Sequence, residues 1–195
     1  PALENTVTTS YLQHEYVPSP YTGYHGVCVL SGAQYVQLTD NGVRIIRWWR
    51  PAVVPKHSIS FKVAAHKFDD LLGKAVERRM VADVPVGIFL SGGLDSSTIA
   101  WYMRRSKPSG DIHSCSVSFA EESFNEGNYA QIVASNLHTT HHSIMFTEET
   151  TRQTLRELVP IIDIPFADSS LLPTYAVSKL ARQYMKVVLG GDGTD

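Results

Sequence analysis

IFLSGGLDSSTIA, residues 88–100, joins a short apolar run to a glycine pair, an aspartate between hydroxyl residues and a second apolar run. The first run predicts a buried strand, and the second is typical of a helix. Gly92 and Gly93 allow the backbone to turn sharply and to approach a ligand closely. The start of the helix offers unpaired N–H groups and the positive end of its dipole, which favour anions. The stretch therefore predicts a strand, a phosphate loop and a helix.

Segments with the character of strands and helices alternate along most of the chain. Four apolar runs predict strands, at residues 86–90, 112–119, 141–146 and 185–190. Helical patterns begin near Ser60, Ser96, Asn128, Thr151 and Ser169. The first of these helices has one apolar face, formed by Phe61, Ala65, Phe68, Leu72, Ala75 and Val76. This alternation predicts an α/β fold with a mainly parallel sheet, helices on both faces and a ligand site beyond the carboxyl ends of the strands.

Residues 1–57 differ from the rest of the chain in their sequence pattern. Two alternating apolar runs flank Asp40, Asn41 and Gly42, which predicts a β-hairpin with positive φ angles at Asn41 and Gly42. The run RIIRWWR, residues 44–50, mixes arginine and tryptophan as nucleic-acid surfaces do, but its alternation favours a half-buried hairpin strand. We expect residues 1–57 to be a linker and hairpin, and residues 58–195 to be the α/β part.

Composition and charge narrow the class of protein. The chain has 195 residues and a formal net charge of -2, so it lacks the field that attracts nucleic acid. No apolar run approaches the ~18 residues needed to span a bilayer, and we expect a cytoplasmic protein without a membrane partner. Cys28 and Cys115 are expected to be buried free thiols. His138, His141 and His142 lie close in sequence, but adjacent strand residues point to opposite faces, so we expect a structural role rather than a metal site.

The phosphate loop carries the chemistry that the sequence predicts most specifically. Ser91, Ser96 and Ser97 can donate hydroxyl groups to phosphate oxygens. Asp95 suits an anion site only if a cation lies between, and Mg²⁺ held by carboxylates and phosphates is the usual arrangement. The loop is neither a Walker loop nor the dinucleotide fingerprint, because the lysine and the glycine spacing are absent. The alternative is a plain turn in which glycine supplies curvature and Asp or Ser caps the helix.

SGGLDSS, residues 91–97, resembles the pyrophosphate loop of the ATP pyrophosphatase superfamily, whose fold is adenine nucleotide alpha hydrolase-like. Its form is similar to that of the glutamine-dependent asparagine synthetases. KVVLGGDGTD, residues 186–195, resembles the second phosphate loop of that family, and residues 1–57 resemble the link from its glutaminase domain. The resemblance implies that residues 58–195 are the N-terminal part of an ATP-binding synthetase domain. It also implies a fragment that is truncated at its C-terminus, lacks the glutaminase domain and is inactive alone.

The resemblance also implies a reaction and a set of site residues. Aspartate would be adenylated by ATP with release of pyrophosphate, and ammonia, supplied from glutamine in the full-length protein, would then displace AMP to give asparagine. The ATP-binding residues by resemblance are Leu90, Ser91, Gly92, Gly93, Asp95, Ser96, Ser97, Val117, Gly190 and Gly191. Asp95 and Asp195 match the Mg²⁺ carboxylates, and Asp192 matches an acidic residue near the acyl-adenylate. Asp95, Asp192 and Asp195 are therefore the catalytic candidates.

Some departures and alternatives stay open at this point. Ile164 replaces an acidic residue in DIPFADSS, residues 163–170, where Asp168, Ser169 and Ser170 either face the substrate or cap the next helix. A relative that adenylates another carboxylate, such as a β-lactam synthetase or a macrolactam-forming enzyme, fits the same loops. A non-catalytic nucleotide-binding homologue would be expected to lack the metal aspartates, and an NAD or GMP synthetase would lack the leading hairpin. The sequence leaves open which carboxylate is adenylated, and a homodimer is an expectation only.

Overall fold

A computed structural model describes residues 5–53, 58–121 and 126–192 of the protein. The chain forms two compact units. One comprises the chain before Ile59 together with Pro160–Ser169, and the other comprises Ile59–Val159 and the chain from Ser170 onward. Within the described ranges, no helix has both the length and the apolar character that a membrane crossing requires.

The first unit contains a helix and the predicted hairpin. Helix α1 spans Asn5–His14, and strands β1, Gln34–Thr39, and β2, Gly42–Arg47, pair antiparallel with Thr39 opposite Gly42. Gly42 has a φ of +115°, as the turn requires, but Asn41 does not have a positive φ. The hairpin is thus confirmed, and the prediction for Asn41 is wrong because the turn needs the left-handed region only at its glycine.

The hairpin is more exposed than its alternating pattern predicts. Leu38 of β1 is 77% exposed, and Ile45 of β2 is 63% exposed. Trp48, just beyond β2, is 68% exposed. The prediction of a half-buried strand is therefore wrong within the described unit. The physical reason is that a two-stranded sheet buries an apolar face only when another layer packs on it.

The second unit is built on a four-stranded parallel sheet. Its strands are β3, Val86–Phe89; β4, His113–Phe119; β5, Thr140–Phe146; and β6, Val187–Leu189. Their order is β5-β4-β3-β6, and each neighbouring pair is parallel. All four predicted strands are confirmed, with boundaries that differ by one or two residues.

Helices cover both faces of this sheet, as predicted. They are α2, Phe61–Arg79; α3, Leu94–Ser106; α4, Gly127–Asn136; α5, Glu148–Leu158; and α6, Leu171–Ala181, with a short 3₁₀ turn at Val159–Ile161. One face packs Ile88 and Leu90 against Ile99 and Met103 of α3. The opposite face packs residues of β3, β4 and β6 against α6. The central strands β3 and β4 therefore contain buried residues, whereas the edge strands β5 and β6 are partly exposed.

The apolar face of α2 is largely exposed, and the prediction that Cys28 is buried is wrong. Of the predicted apolar face of α2, only Val76 is buried, and Phe61 at the start of the helix is 89% exposed. Only the C-terminal part of α2 joins the core that α3 and the sheet form, through Leu72 and Val76. Cys28 is exposed, whereas Cys115 is buried as expected. A periodic pattern identifies a face that can pack, but the packing of neighbouring elements decides how much of it is buried.

Arg104 holds two loops against helix α3. Its Nε donates to the carbonyl oxygen of Leu137 at 2.8 Å, and its terminal nitrogens donate to those of Gly110 at 2.7 Å and His138 at 2.8 Å. Further bonds from the same guanidinium reach the carbonyl oxygens of Lys107 and Pro108. These bonds hold the chain segments that lead into β4 and β5.

We expect Arg104→Ala to lower the free energy of unfolding by about 2–4 kcal/mol, because it removes several charge-assisted hydrogen bonds and leaves carbonyl groups without partners. Urea unfolding of the full-length protein measures the change. Arg152→Ala is the matched control, since among the described residues Arg152 pairs only with Glu148, one helical turn away on the exposed side of α5. Equal effects of the two substitutions would contradict the anchoring role.

Candidate active site

The order of the strands creates a crevice at one point of the sheet edge. From β3 the chain proceeds outward through β4 and β5 and then returns to β6 on the other side of β3. Open parallel sheets bind ligands where the strand order reverses in this way. The segments that leave the carboxyl ends of β3 and β6 begin with Leu90 and Ser91 and with Gly190 and Gly191, and both were predicted as phosphate loops.

The first loop is held in shape by its own hydroxyl groups. Ser91 Oγ and Ser96 Oγ are 2.9 Å apart, the backbone N–H of Gly93 donates to Ser91 Oγ at 3.2 Å, and that of Ser91 donates to Ser96 Oγ at 3.3 Å. Helix α3 starts at Leu94, and its N-cap residue, Gly93, makes no side-chain capping bond. The N–H groups of the first turn have no partner within a helix, so this end of α3 can receive an anion.

The second loop lies directly against the first. A Cβ atom on Gly191 would be only 3.0 Å from the backbone nitrogen of Ser96 and 3.1 Å from Cβ of Asp95. Only glycine permits such a close approach without a shift of the neighbouring backbone. The contact brings the ends of β3 and β6 together around a single space.

A cavity of about 600 Å³ opens at this junction. Nine of the predicted site residues line it: Leu90, Ser91, Gly93, Asp95, Ser96, Val117, Gly190, Gly191 and Asp192. Residues that the sequence did not predict also line it: Phe89, Cys115, Phe119, Glu126, Pro173, Thr174 and Val177. The cavity is thus polar beside the two loops and apolar between the sheet and α6.

The remaining predicted residues have different positions. Among the described residues, Gly92 and Ser97 do not line the cavity; Gly92 packs against α4, and the buried Ser97 hydroxyl has no hydrogen-bond partner. Asp168 and Ser169 belong to the first unit. Asp195 lies outside the described residues.

The polar end of the cavity offers two carboxylates from different loops. Asp95 and Asp192 both line the cavity and are exposed to it. Carboxylate oxygens are the ligands that Mg²⁺ prefers, and it commonly binds one or two of them together with substrate phosphates. The carboxylates of Asp95 and Asp192 are therefore suitable ligands for Mg²⁺.

The apolar part of the cavity combines strand ends with α6. The pKa of the Cys115 thiol is raised by burial to about 11, so this residue remains a neutral, apolar component of the wall. The backbone N–H of Leu90 donates to the carbonyl oxygen of Cys115 at 2.8 Å, where pairing with β3 ends. Backbone groups alternate sides along a strand, so the N–H and C=O of Val117 point to the same side as those of Cys115, two residues earlier. Strand β3 ends before it reaches Val117, so β3 does not pair with these two groups.

Glu126 is the functional candidate that the sequence missed. Its surroundings in the sequence are acidic, which is typical of a solvated loop or of a residue that caps the next helix. It occupies the N-cap position of α4 but makes no side-chain capping bond, and it lines the cavity. The only signal in the sequence was its position just before a helix that follows a strand end.

The neighbouring histidines of β5 point to opposite faces, as predicted. His141 lies on one face, with Nδ1 2.8 Å from Ser114 Oγ and Nε2 3.2 Å from Ser116 Oγ. On the other face, Nε2 of His142 is 3.0 Å from Nδ1 of His113. Burial lowers the pKa of both residues, and a neighbouring imidazole lowers it further. In the described part of the chain, no group of three potential ligands could hold a metal ion.

Comparisons with known proteins agree with the loop motifs. The family model for asparagine synthase matches residues 67–195. A putative asparagine synthetase [glutamine-hydrolyzing] 2 from Methanocaldococcus jannaschii is 37% identical over 188 residues, which cover 95% of this chain and 36% of that protein. Asparagine synthetase [glutamine-hydrolyzing] 1 from Bacillus subtilis is 29% identical over 194 residues, covering 99% of this chain and 30% of that protein. The chain thus spans about a third of the length of these relatives.

Among solved structures, an NH3-dependent NAD synthetase from Campylobacter jejuni matches with a TM-score of 0.46 and 13% identity, covering 65% of this chain and 56% of that one. This similarity is too distant to carry an argument about function. The family match extends over most of the chain and contains both loops of the cavity. The chain therefore belongs to the asparagine synthase family.

Proposed function

We propose that this protein takes part in the ATP-dependent amidation of aspartate to asparagine through a β-aspartyl-AMP intermediate. The observation that carries the proposal is the contact of Gly191 with Ser96 and Asp95, because it joins two phosphate loops around one cavity. The family match and the names of the relatives support the same reaction class. In the full-length protein, ammonia would come from glutamine.

ATP would lie with its base in the apolar part of the cavity and its phosphates at the loops. The backbone N–H and C=O of Val117 provide a donor and an acceptor, which match the N1 acceptor and the amino group of adenine. Ser91 and Ser96 and the first turn of α3 would bind the pyrophosphate group. Phe89 and Leu90 line the cavity beside these groups and would exclude water from the nucleotide.

Asp95 would hold Mg²⁺ together with Asp195. The ion supplies charge neutralisation on the pyrophosphate that leaves in the first step. Asp192 lies on the second loop and would face the acyl-adenylate. Ser96 fixes the loop through its bonds to Ser91 and Gly93, so the donors stay in place while charge develops.

The proposed reaction has two displacements. An oxygen of the β-carboxylate attacks the α-phosphorus of ATP, the bond from that phosphorus to the bridging oxygen breaks, and pyrophosphate leaves. The nitrogen of ammonia then attacks the β-carbonyl carbon and loses a proton, and the bond from this carbon to the AMP oxygen breaks. The products are asparagine, AMP and pyrophosphate.

The test is pyrophosphate release from Mg-ATP by the full-length protein, with ammonia and one carboxylic acid at a time. We expect release that depends on aspartate and is accompanied by asparagine. Release with another acid alone would instead favour a related adenylating enzyme, such as a β-lactam synthetase. ATP binding without release in the presence of any acid would favour a non-catalytic homologue.

We also propose a domain arrangement and an oligomeric state for the full-length protein. Residues 1–57 would link a glutaminase domain to the synthetase part that begins at residue 58, and the protein would act in the cytoplasm as a homodimer. Gel filtration with light scattering tests the homodimer, and glutamine-dependent asparagine formation tests the glutaminase link.

A further inference from the structure

A second cavity borders the nucleotide cavity. It has a volume of about 680 Å³ and lies beyond the carboxyl ends of β4 and β5. Phe119 and Glu126 line both cavities, and the rings of Phe119 and Phe146 meet edge to face with centroids 5.9 Å apart. The remaining lining residues are Ala120, Glu121, Thr147, Glu148 and Thr151. The two cavities thus share a boundary that carries one carboxylate.

Helix α4 fixes the backbone of Glu126 relative to the phosphate loop. The backbone N–H of Ala130 donates to the carbonyl oxygen of Glu126 at 3.1 Å. The same turn packs on the loop, since a Cβ on Gly92 would be 2.5 Å from the nitrogen of Ala130 and 2.6 Å from the carbonyl carbon of Tyr129. The first turn of α4 therefore connects the backbone of Glu126 to the loop that would bind pyrophosphate.

The charge of Glu126 calls for a cationic partner. A carboxylate beside a polyphosphate is unfavourable unless a cation lies near both. Asp95 and Asp192 do not converge with Glu126 closely enough to form a three-ligand metal group, as none exists among the described residues. The aromatic wall beside Glu126 favours a small organic cation over a strongly hydrated metal ion.

We propose that Glu126 binds the α-ammonium group of the acceptor amino acid, which would lie across the boundary of the two cavities. This inference rests on the proposed function and specifies its substrate class as an α-amino acid. Glu126 is a specificity-determining residue in this account: it selects aspartate over the same acid without an amino group. A charge-assisted hydrogen bond of this kind gives a discrimination of roughly 10- to 100-fold.

The test compares L-aspartate with succinate, which lacks only the amino group. In the full-length protein, kcat/KM for each acid is measured by ATP-dependent pyrophosphate release. We expect Glu126→Gln to lower kcat/KM for aspartate by about 10- to 100-fold through KM, with little change for succinate or for the KM of ATP. Glu126→Asp, which keeps the charge, should restore part of the discrimination. Glu149→Gln on α5 is the control, because Glu149 lines neither cavity among the described residues.

Unchanged discrimination in a folded Glu126→Gln protein would overturn the inference and leave the proposed function intact. An equal loss for both acids together with a raised KM for ATP would also overturn it, since Glu126 would then act on the nucleotide. If the unaltered protein released no pyrophosphate with any acid, the proposed function itself would fail, and this inference with it.

Discussion

Asp95→Ala is expected to reduce aspartate-dependent pyrophosphate release by at least about 10²-fold, because the loss of one electrostatic group at a developing charge typically costs that much. Asp95 lines the cavity at the first turn of α3, and its Cβ would be only 3.1 Å from a Cβ atom on Gly191 of the second loop. Removal of the carboxylate takes away one of the two proposed Mg²⁺ ligands. The loss should be in kcat/KM, and higher Mg²⁺ should recover part of it.

Asp70→Asn is the matched control for this substitution. Asp70 lies on α2, where it pairs with Lys74 one helical turn away on an exposed surface. Its substitution should leave pyrophosphate release and its Mg²⁺ dependence unchanged. If Asp95→Ala retained full activity while its melting temperature matched that of the unaltered protein, the metal role of Asp95 would be wrong.

Gly92→Ala is expected to abolish ATP binding and to lower the free energy of unfolding by about 2–5 kcal/mol. Two costs add. Gly92 has a φ of +84°, which an alanine adopts only with strain, and its Cβ would be 2.5 Å from the backbone nitrogen of Ala130. Backbone atoms cannot yield as a flexible side chain does, so the loop must move away from α4. That movement displaces the hydroxyl groups and the N–H groups that would bind the pyrophosphate.

Gly26→Ala separates these two costs. Gly26 has a similar φ of +76°, but a Cβ there would have no neighbour within 4 Å. This variant should lose about 1 kcal/mol of stability from strain alone and keep its affinity for ATP. Calorimetric titration with ATP and urea unfolding measure both quantities. Equal effects at the two glycines would contradict the close packing of the loop on α4.

Local sequence patterns predicted the sheet and its two loops well. The four strands are short runs rich in strand-forming residues, so the sequence predicts each of them without knowledge of its neighbours. Gly92 and Gly93 mark the turn after β3, and Gly190 and Gly191 mark the loop after β6. Resemblance to a family then connected two loops that lie almost a hundred residues apart.

The remainder of the cavity depends on tertiary packing, which no local pattern encodes. Pro173 and Val177 line it because α6 folds back over the carboxyl half of the sheet. The sequence around Glu126 is acidic and predicts a solvated loop. The packing of α4 on Gly92 brings Glu126 to the cavity. The exposure of Phe61 has the same origin, since periodicity alone cannot show which part of a long helix finds a partner.

The central claim, that a carboxylate of the acceptor is activated by attack on the α-phosphorus of ATP, is tested most directly with oxygen-18. Aspartate labelled in its β-carboxylate is incubated with Mg-ATP, ammonia and the full-length protein, and the nucleotide product is analysed by mass spectrometry. The account predicts that AMP carries one labelled oxygen for each asparagine formed. Unlabelled AMP, or ADP accompanied by labelled inorganic phosphate, would contradict it.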